Sequence, residues 1–235
     1  MSFNSNTFAY HNISNRFNIG INNISPKIFK KHIKFYETLK DVTLCFDDGY
    51  EDIFAIKDFI NTSKIKPVIF PITNFINKHN DWDVNFFINR KKHLNIEQIK
   101  VLVSRGWIIG SHGQSHISYK VLNNREIYND MKESKRILEN ITGKKIDSFT
   151  PPFGYFRSDF IKIAKEVGYN KIYINNCYIS EFKLKDSIII SRHNVYKHDT
   201  IKSIIRKINN NKIKKIIDNS IHKCSNATVF VKKFS

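Results

Sequence analysis

Strands alternating with helices along most of the chain predict an α/β fold on a parallel sheet, either a barrel or a doubly wound sheet. Three observations carry that prediction. Short apolar runs of strand length recur, among them Val42–Phe46, Lys66–Ile72 and Trp107–Gly110. Between them lie segments with apolar residues at helical spacing, several with an N-cap signal in front. The polar residues able to do chemistry fall just after strand segments: Asp47 and Asp48, His112 and His116, Pro152 to Gly154, Arg192 and His193. In a parallel barrel that end of the strands carries the chemistry.

Taken in order, Phe8-Ala9-Tyr10-His11 reads as a first short strand, followed by a polar, Asn-rich loop. Ser25 then caps a helix opened by Pro26 and striped by Ile28, Phe29, His32, Ile33 and Tyr36. The strand Val42–Phe46 ends in Asp47-Asp48-Gly49, and a helix over Glu51–Thr62 buries Ile53, Phe54, Ile56 and Ile60. Lys66–Ile72 is a buried strand with its prolines near the ends, where a ladder donor is least needed. Residues Asn74–His93 read as a long irregular loop. Asn95 and Gln98 form a capping box for a helix running to Gly106, and Trp107–Gly110 is the next strand. A long helix with Ile127, Met131, Ile137, Leu138 and Ile141 stops at Gly143. Ile146–Thr150 forms a strand, Pro151-Pro152-Phe153-Gly154 a rigid turn, and Ser158 caps a helix ending at Gly168. Lys171–Ile174 and Ser187–Ile190 are strands, and Asp199 starts a last amphipathic segment with Ile201, Ile204, Ile205 and Ile208.

At 235 residues the chain can bury a full core, and with no Pro-, Gly- or Ser-rich linker it reads as one domain over 1–235. Its formal charge of +18 comes from lysines scattered among Asn and Ile. The densest runs carry apolar residues at helical spacing and read as solvated helix faces. That pattern argues against specific nucleic-acid binding and leaves at most a weak pull towards anionic surfaces. Three widely spaced cysteines, Cys45, Cys177 and Cys224, make neither a disulfide framework nor a zinc ribbon, and Cys45 reads as a small core residue. No signal-peptide pattern and no apolar run of membrane-span length is visible, so a cytoplasmic location is expected.

Two adjacent carboxylates at the end of a buried strand are unfavourable unless a cation neutralises them or one shifts its pKa. The plainer alternative makes Asp47 and Asp48 turn or N-cap residues of the helix that follows. His112 and His116 are four apart, so if that segment is helical both rings share a face and can share a metal. With a carboxylate from another strand end they make a two-histidine, one-carboxylate set that leaves positions open for water and substrate. A metal holding Asp48 would lower the pKa of its water, with Asp47 placed to take the proton. The Pro-Pro-Phe-Gly turn offers a backbone N–H to a developing oxyanion. Together these spell metal-assisted hydrolysis of an amide or ester.

These motifs resemble those of the polysaccharide deacetylases with a NodB-homology domain, carbohydrate esterase family 4. T-F-D-D-G is matched by Cys45-Phe46-Asp47-Asp48-Gly49, with cysteine in the threonine place. H-[ST]-x-x-H is matched at His112 and His116, with Gly113 in place of the hydroxyl residue. R-x-P-[YF]-G is matched by Thr150-Pro151-Pro152-Phe153-Gly154, with Thr150 where many members have arginine. The resemblance covers about residues 8–195, including Tyr10-His11 and Ser25-Pro26. It implies a distorted (β/α)7 barrel, Asp47 as general base, and Asp48, His112 and His116 as ligands of one divalent ion. Zinc is favoured, with cobalt, nickel or manganese as substitutes. It further implies the Phe153 amide as an oxyanion donor, framed by Pro152 and Gly154. The family's later leucine–histidine motif, which supplies the general acid, has no clear counterpart. His193 is the best substitute, ahead of His198 and His222, and its neighbour Arg192 is expected to contact substrate. The expected activity is removal of an N-acetyl group from an N-acetylated sugar, glycan or glycolipid precursor. A same-fold hydrolase of another amide, or an inactive glycan-binding barrel, remains the alternative.

Overall fold

The computed structural model of the protein describes residues 6–17, 20–81, 90–154, 158–175 and 189–209. Ser187, Cys177, His222 and Cys224, as well as the side chain of Ser158, lie outside that description. The first strand, β1 (Thr7–Tyr10), leads into a small parallel pair, β2 (Asn12–Ile13) and β3 (Asn23–Ile24). Helix α1 (Pro26–Tyr36) follows, its N-cap Ser25 accepting a hydrogen bond from the Ile28 amide as the sequence predicts. Then come β4 (Thr43–Asp48), α2 (Lys57–Asn61), β5 (Lys66–Pro71), α3 (Ile96–Ser104) and β6 (Ile108–Ile109). The second half adds α4 (Asn124–Thr142), β7 (Ser148–Phe149), α5 (Ser158–Val167), β8 (Lys171–Asn175), β9 (Ile189–Asn194) and α6 (Ile201–Ile208).

Seven strands form one parallel sheet in the order β6-β5-β4-β1-β9-β8-β7. Its two ends meet through a parallel bridge between Ser111 and Phe149. There the Ser111 amide donates to the Ser148 carbonyl at 2.9 Å and the Thr150 amide to the Ser111 carbonyl at 3.0 Å. The result is a nearly closed, distorted (β/α)7 barrel, and the doubly wound alternative falls away.

Side chains alternate across each strand, and the barrel sorts them accordingly. Ala9, Cys45, Val68, Phe70 and Tyr173 pack together inside it. Phe8, Tyr10, Leu44, Phe46 and Ile69 face outward into the larger cluster shared with the helices, beside Phe29, Ile33 and Tyr36 of α1. Phe8 stacks on Tyr36 with ring centroids 4.1 Å apart, and Tyr10 meets Phe29 edge-on at 5.2 Å. Cys45 is thus a small interior residue, its thiol pushed up to about 12 by burial.

Five local expectations need adjustment. The helix expected over Glu51–Thr62 is a 3-10 turn, Glu51–Ile56, running into the short α2. Its N-cap position, Tyr50, supplies no side-chain cap, and the Glu51 amide donates instead to the Lys92 carbonyl, which ties this turn to the segment bearing His93. The strand expected over Trp107–Gly110 is only Ile108–Ile109, and that over Ile146–Thr150 only Ser148–Phe149. The strand ending at Ile190 instead continues through Arg192 and His193 to Asn194. Asp199 does not start the last helix. Thr200 caps it, while Asp199 accepts a hydrogen bond from the buried Lys207 ammonium at 2.6 Å.

Candidate active site

β4 carries its alternation to the top of the barrel, where Cys45 and then Asp47 face inward. β9 runs beside β1, and its Ile190–Arg192 side faces inward as well. Arg192 therefore meets Asp47 across the interior in a two-pronged pair, Nη1 to Oδ1 at 2.7 Å and Nη2 to Oδ2 at 2.6 Å. Its Nε donates to Asn175 Oδ1 of β8 at 3.1 Å, and its guanidinium lies 5.9 Å from the centre of the Phe70 ring. Both partners are buried, with Arg192 and Asp47 each 2 % exposed. Burial pushes the Asp47 carboxyl up, but the Arg192 guanidinium, with His112 and His11, outweighs it and holds the acid below its usual range. Asp47 is thereby ionised at neutral pH. Arg192, expected to contact substrate, is here paired with this carboxylate.

Alternation alone would send Asp48 to the opposite face from Asp47. The chain instead turns there, with φ of 67° at Asp48 and 71° at Gly49, and Asp48 swings over the barrel end. The Asp48 carbonyl accepts a hydrogen bond from His93 Nδ1 at 2.9 Å. The spare freedom of glycine matters at position 49, since a Cβ there would lie 2.9 Å from the Pro71 Cα. The two histidines arrive differently from the expected helical face. Residues 112–116 form no helix, and His116 itself has φ of 56°. Three of the five non-glycine residues with positive φ among the described residues are Asp48, His116 and Phe153. Strain of that kind persists where surrounding contacts over-determine it, and it gathers at functional sites.

Asp48 Oδ1 lies 3.4 Å from Nε2 of His112 and 3.4 Å from Nε2 of His116. A charge-assisted hydrogen bond would be shorter, about 2.7–2.9 Å. Two ligand atoms on a tetrahedral zinc at about 2.0–2.1 Å stand about 3.4 Å apart. The three ligand atoms all lie within 4.8 Å of one another, and all three residues are buried. His112 Nδ1 faces the Thr150 carbonyl at 2.9 Å, so its proton sits there and the Nε2 lone pair is left for a cation. Burial opposes charge on Asp48, yet the two histidines hold its carboxyl well below the usual range. Donor type, spacing and tautomer all fit one divalent ion. The alternative of N-caps for Asp47 and Asp48 does not fit, because the N-cap position of the following turn is Tyr50.

His11, one residue beyond β1, is a member of this site that sequence reasoning did not single out. Tyr10 faces outward, where its hydroxyl pairs with His32 and Tyr36. Among the described residues His11 Nδ1 is buried with no hydrogen-bond partner. Burial outweighs the upward pull of Asp48 and Asp47, and with Arg192 and His112 acting in the same direction it holds the ring's pKa below the usual histidine value. The only sequence signal was its place after a strand. His193 goes the other way. As the neighbour of Arg192 it faces outward, opposite Phe8 in the strand register and 5.8 Å from that ring. The geometry does not bring it to Asp47 or Asp48.

Burial, with some help from Lys207, pushes the His193 imidazole down to about 4. An unfolded histidine titrates near 6.5, so between about 6.5 and 4 the unfolded chain binds the extra proton and stability falls as pH falls. His193→Phe keeps a ring against Phe8 and should flatten that decline by up to about 3 kcal/mol, the value of such a shift. Urea melts of both proteins across this range would show it, and parallel curves would mean that His193 does not titrate this way.

A family profile described as polysaccharide deacetylase matches residues 37–172, more than half of the chain. The chain belongs to the polysaccharide deacetylase family. Among curated proteins it is 25% identical over 182 residues to YxkH of Bacillus subtilis, covering 68% of this chain and 60% of that protein. It is 24% identical over 135 residues to a peptidoglycan-N-acetylglucosamine deacetylase of Bacillus cereus, covering 57% of this chain and 55% of the other. The chain thus spans little more than half the length of these two relatives. Among solved structures, the Streptococcus pyogenes deacetylase PplD superposes with a TM-score of 0.69 at 14% identity, over 86% of this chain and 96% of that one. That likeness is one of fold.

Within the polysaccharide deacetylase pattern, Thr150 stands in the place of the third-motif arginine. Thr150 Oγ1 donates to the Tyr173 carbonyl at 3.1 Å, and the Thr150 carbonyl fixes His112. The positive charge beside Asp47 comes from β9, a different strand, as Arg192. Phe153 has φ of 57°, and its ring lies 4.7 Å from that of His116, which sets the third-motif turn beside the histidines. Pro152 and Gly154 flank it, both buried. Among the described residues no helix is long and apolar enough to cross a membrane.

Proposed function

We infer that this deacetylase-family chain hydrolyses the N-acetyl group of an N-acetylated sugar or glycan, with Asp48, His112 and His116 holding one divalent ion. The observation that carries this reading is the 3.4 Å spacing of Asp48 Oδ1 from both imidazole Nε2 atoms, next to a second buried carboxylate paired with Arg192. A divalent ion bound there, zinc by its imidazole–carboxylate donors and cobalt, nickel or manganese by substitution, supplies Lewis-acid polarisation. Asp47, ionised and oriented by Arg192, takes a proton from the attacking water as the new C–O bond forms. The Phe153 N–H donates to the oxygen on which negative charge develops, and Pro152 and Gly154 hold that turn.

As the C–N bond breaks, the departing nitrogen must gain a proton, because an amide anion is too basic to leave. Asp47 lies on the attacking side. We assign the donation to His11 in its imidazolium form, a form that burial disfavours and that the pull of Asp48 and Asp47 favours, its Nδ1 uncommitted among the described residues. The proton gained by Asp47 then passes to solvent and His11 is reprotonated, which closes the cycle. His11→Ala should therefore slow acetate release from an N-acetyl sugar by about 100-fold or more. Hydrolysis of an activated aryl acetate, whose leaving group needs no proton, should change little. Equal loss on both substrates would make His11 structural.

The substrate we favour contains N-acetylglucosamine, the sugar named in the Bacillus cereus relative. Polymeric glycan and a glycolipid precursor share that chemistry. The deciding experiment is acetate release from N-acetylglucosamine oligomers by protein loaded with zinc or cobalt, against protein stripped with a chelator. Release only by the loaded protein supports the reading. Glycan binding without acetate release would leave a binding barrel, and release unaffected by the chelator would remove the metal.

A further inference from the structure

The loop that carries both histidines is fastened from the helix behind it. α4 turns Ile127, Asp130, Met131, Ser134 and Leu138 towards the barrel, so its buried face includes two polar side chains among apolar ones. Ser134 Oγ lies 2.7 Å from Ser111 Oγ, and Ser111 Oγ accepts a hydrogen bond from the Gly113 amide at 3.1 Å. Asp130 is the larger anomaly. It is 7 % exposed, and the groups that meet it are all neutral donors. Its Oδ1 accepts from the Ser115 amide at 2.9 Å and from Ser115 Oγ at 2.6 Å. Its Oδ2 accepts from the Gln114 amide at 2.9 Å and from the Tyr119 hydroxyl at 2.7 Å. Among the described residues no lysine, arginine or histidine forms an ion pair with it.

A buried carboxylate without a counter-cation is costly unless its lone pairs are filled. Here they are filled by the residues on either side of His116, at 114, 115 and 119. The same carboxylate explains Gly113. That residue has φ of 80°, and a Cβ on it would stand 2.5 Å from Asp130 Oδ2 and 3.1 Å from the Tyr119 hydroxyl. The hydroxyl residue expected after the first histidine of the motif has no room while Asp130 occupies this place. On the other side the loop is pinned by the Thr73 amide to the Gly113 carbonyl at 3.2 Å and by the Asn74 amide to the Gln114 carbonyl at 3.0 Å. Held from both sides, His116 keeps the left-handed backbone that turns its Nε2 towards Asp48.

We propose that Asp130 is a positioning residue for the metal site, its carboxylate clamping the 113–119 loop so that His116 joins Asp48 and His112, and that Gly113 is the space this clamp requires. The proposal rests on the reading of those three residues as a metal site. Groups that orient a ligand in this way are worth about 10- to 100-fold in metal affinity. Asp130→Asn keeps the shape but turns one acceptor into a donor facing other donors, so half of the clamp is lost. Gly113→Ala pushes on the carboxylate from the other side.

The test is calorimetric titration of chelator-stripped wild type, Asp130→Asn and Gly113→Ala with zinc alone, together with the visible absorption of each protein loaded with cobalt. The expected result is binding at least 10-fold weaker in both variants, with a cobalt spectrum altered from that of wild type. A merely structural Asp130 would lower the melting temperature of the stripped protein and leave zinc affinity and cobalt spectrum as in wild type, which overturns the proposal. Should Asp130→Asn fail to fold, Gly113→Ala alone decides by the same two readouts. If wild type itself takes up no zinc or cobalt, the metal reading fails first, and the clamp has no metal site to serve.

Discussion

Asp47→Asn is expected to lower acetate release from an N-acetylated sugar by about 100- to 10,000-fold, the range for removing a general base. The amide cannot accept the water's proton; of the groups around it, Arg192 is a permanent cation and Asp48 is turned towards the histidines. Bound zinc should stay at the wild-type stoichiometry, because Asp47 lies outside the ligand set. The change also leaves the buried Arg192 without its counter-charge, although Asn175 still accepts from Nε. Some stability will be lost, so turnover must be compared well below the melting temperature of the variant. Metal content by elemental analysis and initial rates on the same sample decide the matter. A variant that keeps the zinc and also keeps a rate within about threefold of wild type would return the base role to another group.

The members of the Asp48–His112–His116 cluster could be picked out from sequence because they are local signals. A buried apolar strand ending in two carboxylates is conspicuous within seven residues, and the paired histidines follow another strand directly. The local caps were legible for the same reason, as with Ser25 and the Asn95–Gln98 box. What escaped is set by tertiary structure. The histidines converge through left-handed backbone at His116, held by bonds to α4, rather than through a helical repeat. Arg192 and Asp47 are 145 positions apart, and no pattern within either strand announces their pairing. Which of Arg192 and His193 points inward could not be read from strand phase. Ile188, Ile189 and Ile190 are all apolar, so period-two alternation cannot be read from them. Only the packing of Ile190 with the interior cluster fixes which of the next pair points inward. His11 was missed because a single histidine after a strand has no local partner to mark it.

The pairing of Arg192 with Asp47 leads to the second large effect. Arg192→Met removes a buried guanidinium from a carboxylate that stays in the interior, and breaking a buried pair in this way costs about 3–5 kcal/mol. Restoring neutrality with Asp47→Asn in the same molecule should recover much of that loss, so the double variant should be more stable than Arg192→Met alone. Catalysis gives an independent readout. In the wild type, burial raises the Asp47 carboxyl and Arg192 leads the groups that overcome it, keeping the acid below its usual range. Without the guanidinium the desolvation effect gains ground and the carboxyl pKa rises. The base must be ionised to work, so the acidic limb of the rate profile should move to higher pH in Arg192→Met, and the lost activity should be partly regained on the alkaline side. Arg192→Lys supplies charge but not the two-pronged geometry, and should fall between the two in both stability and limb position. Denaturant melts of the wild type, Asp47→Asn, Arg192→Met, the double variant and Arg192→Lys, with pH–rate profiles for the wild type, Arg192→Met and Arg192→Lys, carry the test. Strictly additive stabilities together with an unmoved acidic limb would mean that Arg192 neither balances nor orients Asp47. A shifted limb with a non-additive cycle would place the charge that the third motif lacks on β9.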